Sequence, residues 1–338
     1  KVLGALEVAR KLEQAHPRNP QVLTVLGTIH RANDDLESAA RTFERLAEYR
    51  PQSPQARVEL ARVYLAQERG KAARETLDKA LDMAPDHPPA LQLRGRLALA
   101  DSQPEQARKL GARLGQALPE SHAGPLLVAR AHQQAGALEA AAEAYRTALE
   151  RGSVREAALG LFRVRQQQDR GEAARATLRQ WLEARPADTE IRTLLAQEQR
   201  KSGNPSGAIQ TYQKGLDSDP ENPVLLNNLA WLYLERDGER AVDLARKAYR
   251  LAPDRPGVAD TYGWALVQSG EPEKGLAPLR KAAEKAPDRP LMRYHLAAAL
   301  ADSGRDDEAR RQLTDLLKEA PDFPKAAAAR SLLESLAP

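Results

Sequence analysis

The sequence predicts an all-α fold, a solenoid of stacked helix pairs, on three observations. Small and large side chains recur about every 34 residues, apolar residues within each period keep helical spacing, and a proline closes nearly every period. Leu23, Leu26, Gly27, Ala39, Phe43, Leu46 and Pro51 return as Leu60, Ala61, Tyr64, Ala73, Leu77, Ala80 and Pro85, and later periods repeat the pattern down to Ala297, Ala309, Leu313, Leu316 and Pro321. Nine units follow, at 20–53, 54–87, 88–121, 122–154, 155–188, 189–222, 223–255, 256–289 and 290–323.

Each unit holds two amphipathic stretches of about 14 residues, helices of roughly 21 Å, split by a polar or glycine turn such as Arg69-Gly70 or Ser303-Gly304. Small residues in the first helix (Gly27, Ala61, Gly95) and the second (Ala39, Ala73, Ala107) admit close backbones, and Phe43, Tyr145 or Tyr212 fills the space towards the next unit. Proline then stops the second helix, because it lacks an amide donor and crowds the preceding turn. No unit buries its own apolar face, so neighbours must stack. Residues 1–19, with Ala5, Ala9, Leu12 and Pro17, read as the second helix of a truncated preceding repeat, so the chain is expected to begin inside a longer array. Residues 324–338, after Phe323, read as a capping helix over the last apolar face. After the fourth unit, Arg151-Gly152-Ser153 replaces the closing proline, and loop drift and a hinge both fit this. In the seventh unit, Arg236-Asp237-Gly238-Glu239 makes a shortened turn expected to alter local pitch only.

Composition narrows the function. There is no cysteine, so thiolate metal sites and cysteine nucleophiles are excluded, and a mean hydropathy of −0.60 without a long apolar run predicts no membrane span. The first 170 residues carry 26 basic and 21 acidic side chains and the remainder 25 and 26, far from the basic stripe of a nucleic-acid binder. The six histidines, at 16, 30, 87, 122, 132 and 295, show no metal-ligand spacing, and no phosphate-binding loop or nucleophile elbow is present. Carboxylates such as Asp34-Asp35 and Asp306-Asp307 sit at turns or first helical turns, where they favour the helix dipole. No catalytic residue, metal or cofactor is therefore expected, and the chain is not expected to be an enzyme.

The pattern of small, large and proline positions resembles the tetratricopeptide repeat over nearly the whole chain. That resemblance implies a right-handed superhelical solenoid of nine repeats, with a leading half repeat and a C-terminal capping helix. It also implies an inner surface lined by positions two, five, nine and twelve of each unit. Position nine gives Arg62, Arg96, Arg130, Arg163, Gln197, Trp231, Trp264 and Ala298; position twelve adds Arg31, Gln133, Gln166 and Arg200. Position five adds Thr24, Gln92, Thr193, Asn227, Asp260 and Tyr294. The arginine row is either a track for an anionic partner, since guanidinium forks match carboxylates and phosphates, or a solvated face paired to local acids. Trp231 and Trp264 either pack between neighbouring first helices or present ring faces to a peptide or sugar. Trp181 falls at a core position of a second helix.

The runs Leu226-Asn227-Asn228-Leu229-Ala230-Trp231-Leu232-Tyr233, Asp260-Thr261-Tyr262-Gly263-Trp264-Ala265-Leu266-Val267 and Arg293-Tyr294-His295-Leu296-Ala297, with the 323–336 cap, resemble the C-terminal part of tetratricopeptide lipoproteins of the PEP-CTERM system (PrsT type). Related repeat stretches occur in scaffolds of bacterial exopolysaccharide secretion. The resemblance implies a periplasmic protein, attached to the outer membrane through an upstream lipid anchor, that binds envelope secretion proteins; a cytoplasmic location is the alternative. It supplies no catalytic residues. The expectation is a non-enzymatic protein-interaction scaffold in envelope export, with a direct conduit for an anionic exopolysaccharide as the alternative.

Overall fold

The structure, a computed structural model, describes the backbone over residues 2–336 and side chains over 7–9 and 11–336. The side chain of Ala5 and the outermost residues of the two end segments lie outside these. All regular structure among the described residues is helical, in two compact units that divide between Thr177 and Leu178.

The first unit begins with α1 (Val2–Ala15). The pairs α2 (Pro20–Ala32) with α3 (Leu36–Tyr49), α4 (Pro54–Ala66) with α5 (Gly70–Met83), and α6 (Pro88–Ala100) with α7 (Pro104–Ala117) follow. Next come α8 (Ala123–Gln134) with α9 (Leu138–Arg151), α10 (Arg155–Gln167), and α11 (Gly171–Ala184), within which the division falls. The second unit continues with α12 (Thr189–Lys201) and α13 (Pro205–Ser218), α14 (Pro223–Tyr233) and α15 (Gly238–Leu251), and α16 (Pro256–Gln268) and α17 (Pro272–Lys285). It ends with α18 (Pro290–Asp302), α19 (Asp306–Glu319) and α20 (Ala326–Ser335). Gly152 and Ser153 lie inside the first unit, and Gly152 has extended backbone that any residue adopts.

Local chemistry sets the helix ends. Proline opens α2, α4, α6, α14, α16 and α18, where its missing N–H costs nothing and its fixed φ suits a first turn. Asn19, Ser53, Asp188 and Asn222 accept backbone N–H bonds as N-caps of first helices; Asp35, Asn204 and Asp237 do so for second helices. Between the two helices of a pair the chain reverses through one residue of left-handed backbone: Asp34, Glu68, Ser102, Gly136, Asp169, Gly203, Gly270 and Gly304. These are the fifteenth residues of eight units. The special turn residue of the second unit is thus Glu68, not Gly70, which opens α5. The seventh unit is the exception, because α14 has only 11 residues and its turn closes through Tyr233 carbonyl bonds to Arg236 and Asp237.

First and second helices are buried differently. α4 buries Ala56, Val58, Leu60, Ala61, Val63 and Tyr64 on several sides, whereas α5 buries one stripe of Ala73, Leu77, Ala80 and Leu81. The reason is position in the stack: α4, α6 and α8 contact one another in the first unit, as α12, α14, α16 and α18 do in the second. First helices therefore line the tighter face of each unit. At the C-terminal end, Ala326 and Ala329 of α20 close over Leu313, Leu316 and Phe323.

Candidate functional site

Two groups of side chains rise from the first-helix face, one in each unit. In the first unit, Arg62, Arg96, Arg130 and Arg163 occupy equivalent places on α4, α6, α8 and α10. Burial lowers the Arg130 pKa below the usual arginine value; Tyr145 opposes this, and the charges of Arg96 and Arg163 reinforce it. Three successive arginines thus feel one another. Their partners differ. Arg31 and Arg62 approach the same Glu59 at 3.7 Å each, and Arg130 pairs with Glu156. Arg96 and Arg163 are exposed and make no hydrogen bond or ion pair among the described residues. The row thus divides between the two alternatives, with Arg62 and Arg130 paired to local acids and free forks at two positions of four. Gln133 accepts a 2.7 Å hydrogen bond from Tyr145 Oη, so it serves packing rather than the open face.

In the second unit, α14, α16 and α18 bring Trp231, Trp264, Asp260, Tyr294 and His295 together. His295 is buried, and its ring stacks on Trp264 with centroids 4.2 Å apart and planes at 13°. Trp231 and Tyr294 stand around it at 6.0 and 6.1 Å. Buried Asp260 accepts from His295 Nδ1 at 2.9 and 3.1 Å through its two oxygens, which fixes the imidazole under the indole. Trp231 keeps 38% of its surface exposed, so it packs on one side and is open on the other. Trp181 is buried, its indole N–H bonded to Asp188 at 2.8 Å.

Trp231, Leu232, Leu291 and Arg200 are shared by two adjoining cavities. One, of about 270 Å³, is lined by polar groups: Gln197, Asn227, Asn228 and Asp260, with Tyr212 at its base. Burial pushes the Tyr212 phenol up to about 12, and contacts from Asn228, Arg200 and Thr193 oppose the shift. The Asn227 amide donates weakly to Asn228 at 3.5 Å, and its buried Oδ1 has no partner. The other cavity, of about 460 Å³, has apolar walls from Pro205, Leu232, Leu234, Leu291, Trp264 and Tyr294. Arg200, Glu235, Arg236 and Lys325 also border it. Arg200 is exposed and carries no ion pair among the described residues.

His295 is the residue that sequence reasoning missed. Its signal was present: it lies 35 residues after Asp260, one more than a repeat, so a position-five acid meets a position-six histidine across neighbouring first helices. Sequence reasoning also left Asn228 out of the candidate set, although it lines the polar cavity.

These pieces can bind but contain no obvious reacting centre. Exposed guanidinium forks suit carboxylates, an open indole face suits an apolar or ring-shaped group, and the amide row can pair with a main chain or hydroxyl groups.

No curated protein sequence matches this chain. Among solved structures it is similar to the APC/C hetero-tetramer Cut9–Hcn1, at 11% identity and TM-score 0.49, over 99% of this chain and 93% of that one. It is similar to MamA from Desulfovibrio magneticus RS-1 at 17% identity and TM-score 0.46, over 50% and 97%. Similarity to YrrB, described as a TPR protein with an unusual peptide-binding site, is 16% identity at TM-score 0.44, over 55% and 96%. Two family profiles, both described as tetratricopeptide repeat, match residues 30–97 and 192–320, together more than half of the chain. With helix pairs of that period throughout, this chain belongs to the tetratricopeptide-repeat family.

Proposed function

We propose that this protein is a non-enzymatic scaffold that holds protein partners along its first-helix faces during envelope export or assembly in a bacterium. The observation that carries the binding reading is the pair of open forks, Arg96 and Arg163, flanking a site where Arg130 is paired. An interrupted row suits a polypeptide whose acids fall at particular places. A uniform polyanion would gain most from an uninterrupted row. The envelope setting rests on the likeness of residues 226–336 to the PEP-CTERM-type lipoproteins. With it go a periplasmic location, attachment through an upstream lipid anchor and envelope secretion proteins as partners.

A direct conduit for an anionic exopolysaccharide is the second reading, favoured by the open ring of Trp231 beside Arg200. Binding of a disordered acidic polypeptide and of an acidic polysaccharide separates the two, measured beside an Arg96→Gln/Arg163→Gln chain. The scaffold reading expects the polypeptide to bind, with at least a tenfold loss in the double variant and a fall in affinity with salt. Preferential binding of the polysaccharide, lost in the same variant, would turn the assignment to the conduit.

A further inference from the structure

We propose that the two cavities flanking Trp231 form one peptide site, which takes an extended acidic segment of a partner through a single large apolar side chain. This rests on the protein-scaffold reading above and names the kind of segment recognised. The two sides of Trp231 differ in the way a peptide differs along its length. On one side stand Asn227, Asn228 and Gln197, amides able to give and accept the hydrogen bonds of a main chain. The buried Asn227 Oδ1 has no partner, and a turn of this amide into the cavity would let a peptide N–H satisfy an acceptor that is otherwise costly to bury. On the other side Pro205, Leu232, Leu234 and Leu291 wall a cavity of about 460 Å³, enough for a leucine, phenylalanine or tyrosine side chain.

Charge sets the flanks of the peptide. Arg200, Arg236 and Lys325 surround the two cavities against the single charge of Glu235, and the other nearby acid, Asp260, is already bonded to His295. Acidic residues on either side of the apolar anchor therefore match the rim. Trp231 is held in place by its packing near His295, which Asp260 and the Trp264 ring lock from below. The anchor thus meets a wall that needs little ordering on binding.

The test uses the full chain and pooled decapeptides whose central residue is fixed in turn as phenylalanine, leucine or alanine, between acidic or basic flanks. Affinity is read by fluorescence polarisation and the environment of Trp231 by its emission. The acidic phenylalanine and leucine pools should bind at least tenfold more tightly than the acidic alanine pool or the basic phenylalanine pool, with a blue shift in emission. Asn227→Ala and Trp231→Leu, each checked for an unchanged helical signal, should weaken the phenylalanine pool about tenfold, and the second should abolish the shift. Equal binding of phenylalanine and alanine pools overturns the anchor. If that shared binding disappears in Arg96→Gln/Arg163→Gln, the scaffold reading stands without it; if no acidic polypeptide binds, both fall. Competition by an oligouronate, with the same emission shift, would overturn the proposal in favour of a sugar site.

Discussion

The side chains that define the second unit's site are held by burial as much as by direct bonds. Tyr212 forms the base of the polar cavity, and desolvation raises its phenol to about 12; Tyr64 is raised to about 12 by burial, with its bond to Glu44 adding to the effect. Folding therefore favours the neutral phenols. Their stabilisation is complete below the ordinary tyrosine pKa near 10 and is lost as pH rises through about 12. Absorbance at 295 nm should show at least two tyrosines titrating late, and Tyr212→Phe should remove one of them. Asp260 and His295 make a second prediction. His295→Ala leaves a buried carboxylate without its donor and removes the ring under Trp264, so the second unit should lose about 2–4 kcal/mol, read from thermal melts. At this scale the sequence exposed the candidates but not their partners. Position nine placed four arginines on equivalent first-helix sites, yet whether each is free depends on acids such as Glu59 and Glu156 that lie one repeat or a few residues away. Trp231 packs near the His295 ring and still keeps 38% of its surface exposed, a mixture that its position in the repeat did not reveal.

Helices and turns were far more legible, because proline, N-cap and small-residue positions act locally and repeat. What the sequence hid was backbone conformation. Four turns place Asp34, Glu68, Ser102 or Asp169 in the left-handed region, where a side chain costs roughly 1–2 kcal/mol relative to glycine. Glu68→Gly should therefore stabilise the chain by about 0.5–1 kcal/mol after the entropy glycine adds to the unfolded state, a small rise in melting temperature. The opposite holds where helices touch. A Cβ on Gly263 would lie 2.9 Å from the Gly275 carbonyl oxygen and 2.5 Å from Leu279 Cγ. Gly263→Ala should push α16 from α17 at a cost of about 1–3 kcal/mol, and should loosen Asp260 and Trp264 on the same helix. Capping brings pH into the account. Asp35 is held below its usual value, first by the Ser38 backbone N–H and then by the Ser38 hydroxyl; burial opposes this, and His30 adds a smaller downward pull. Its contribution is present above the unfolded carboxylate pKa and fades as pH falls through the lower folded value. Asp35→Ala should thus cost about 1 kcal/mol at pH 7, and less in melts at acid pH as the carboxylate is protonated.

Across the whole molecule, repetition explains why fold was easier to read than function. Each repeat restates the same packing demand, so a period of 34 residues is visible many times over, whereas the aromatic and amide site occurs once among the described residues and draws on four neighbouring repeats. The division between Thr177 and Leu178 leaves no comparable mark, because the helical period runs through it unbroken. The proposed function puts a protein partner against the first helices rather than the second. It is tested most directly by photo-crosslinking in the cells that make the protein, from a reactive side chain placed in turn at Arg96, Arg163 and Gln268 on first helices. Arg41 and Arg146, exposed on the second helices α3 and α9, serve as controls. Discrete polypeptide adducts are expected from the first-helix positions and none from the controls. Adducts from Arg41 or Arg146 alone, or adducts to polysaccharide only, would contradict the proposed function.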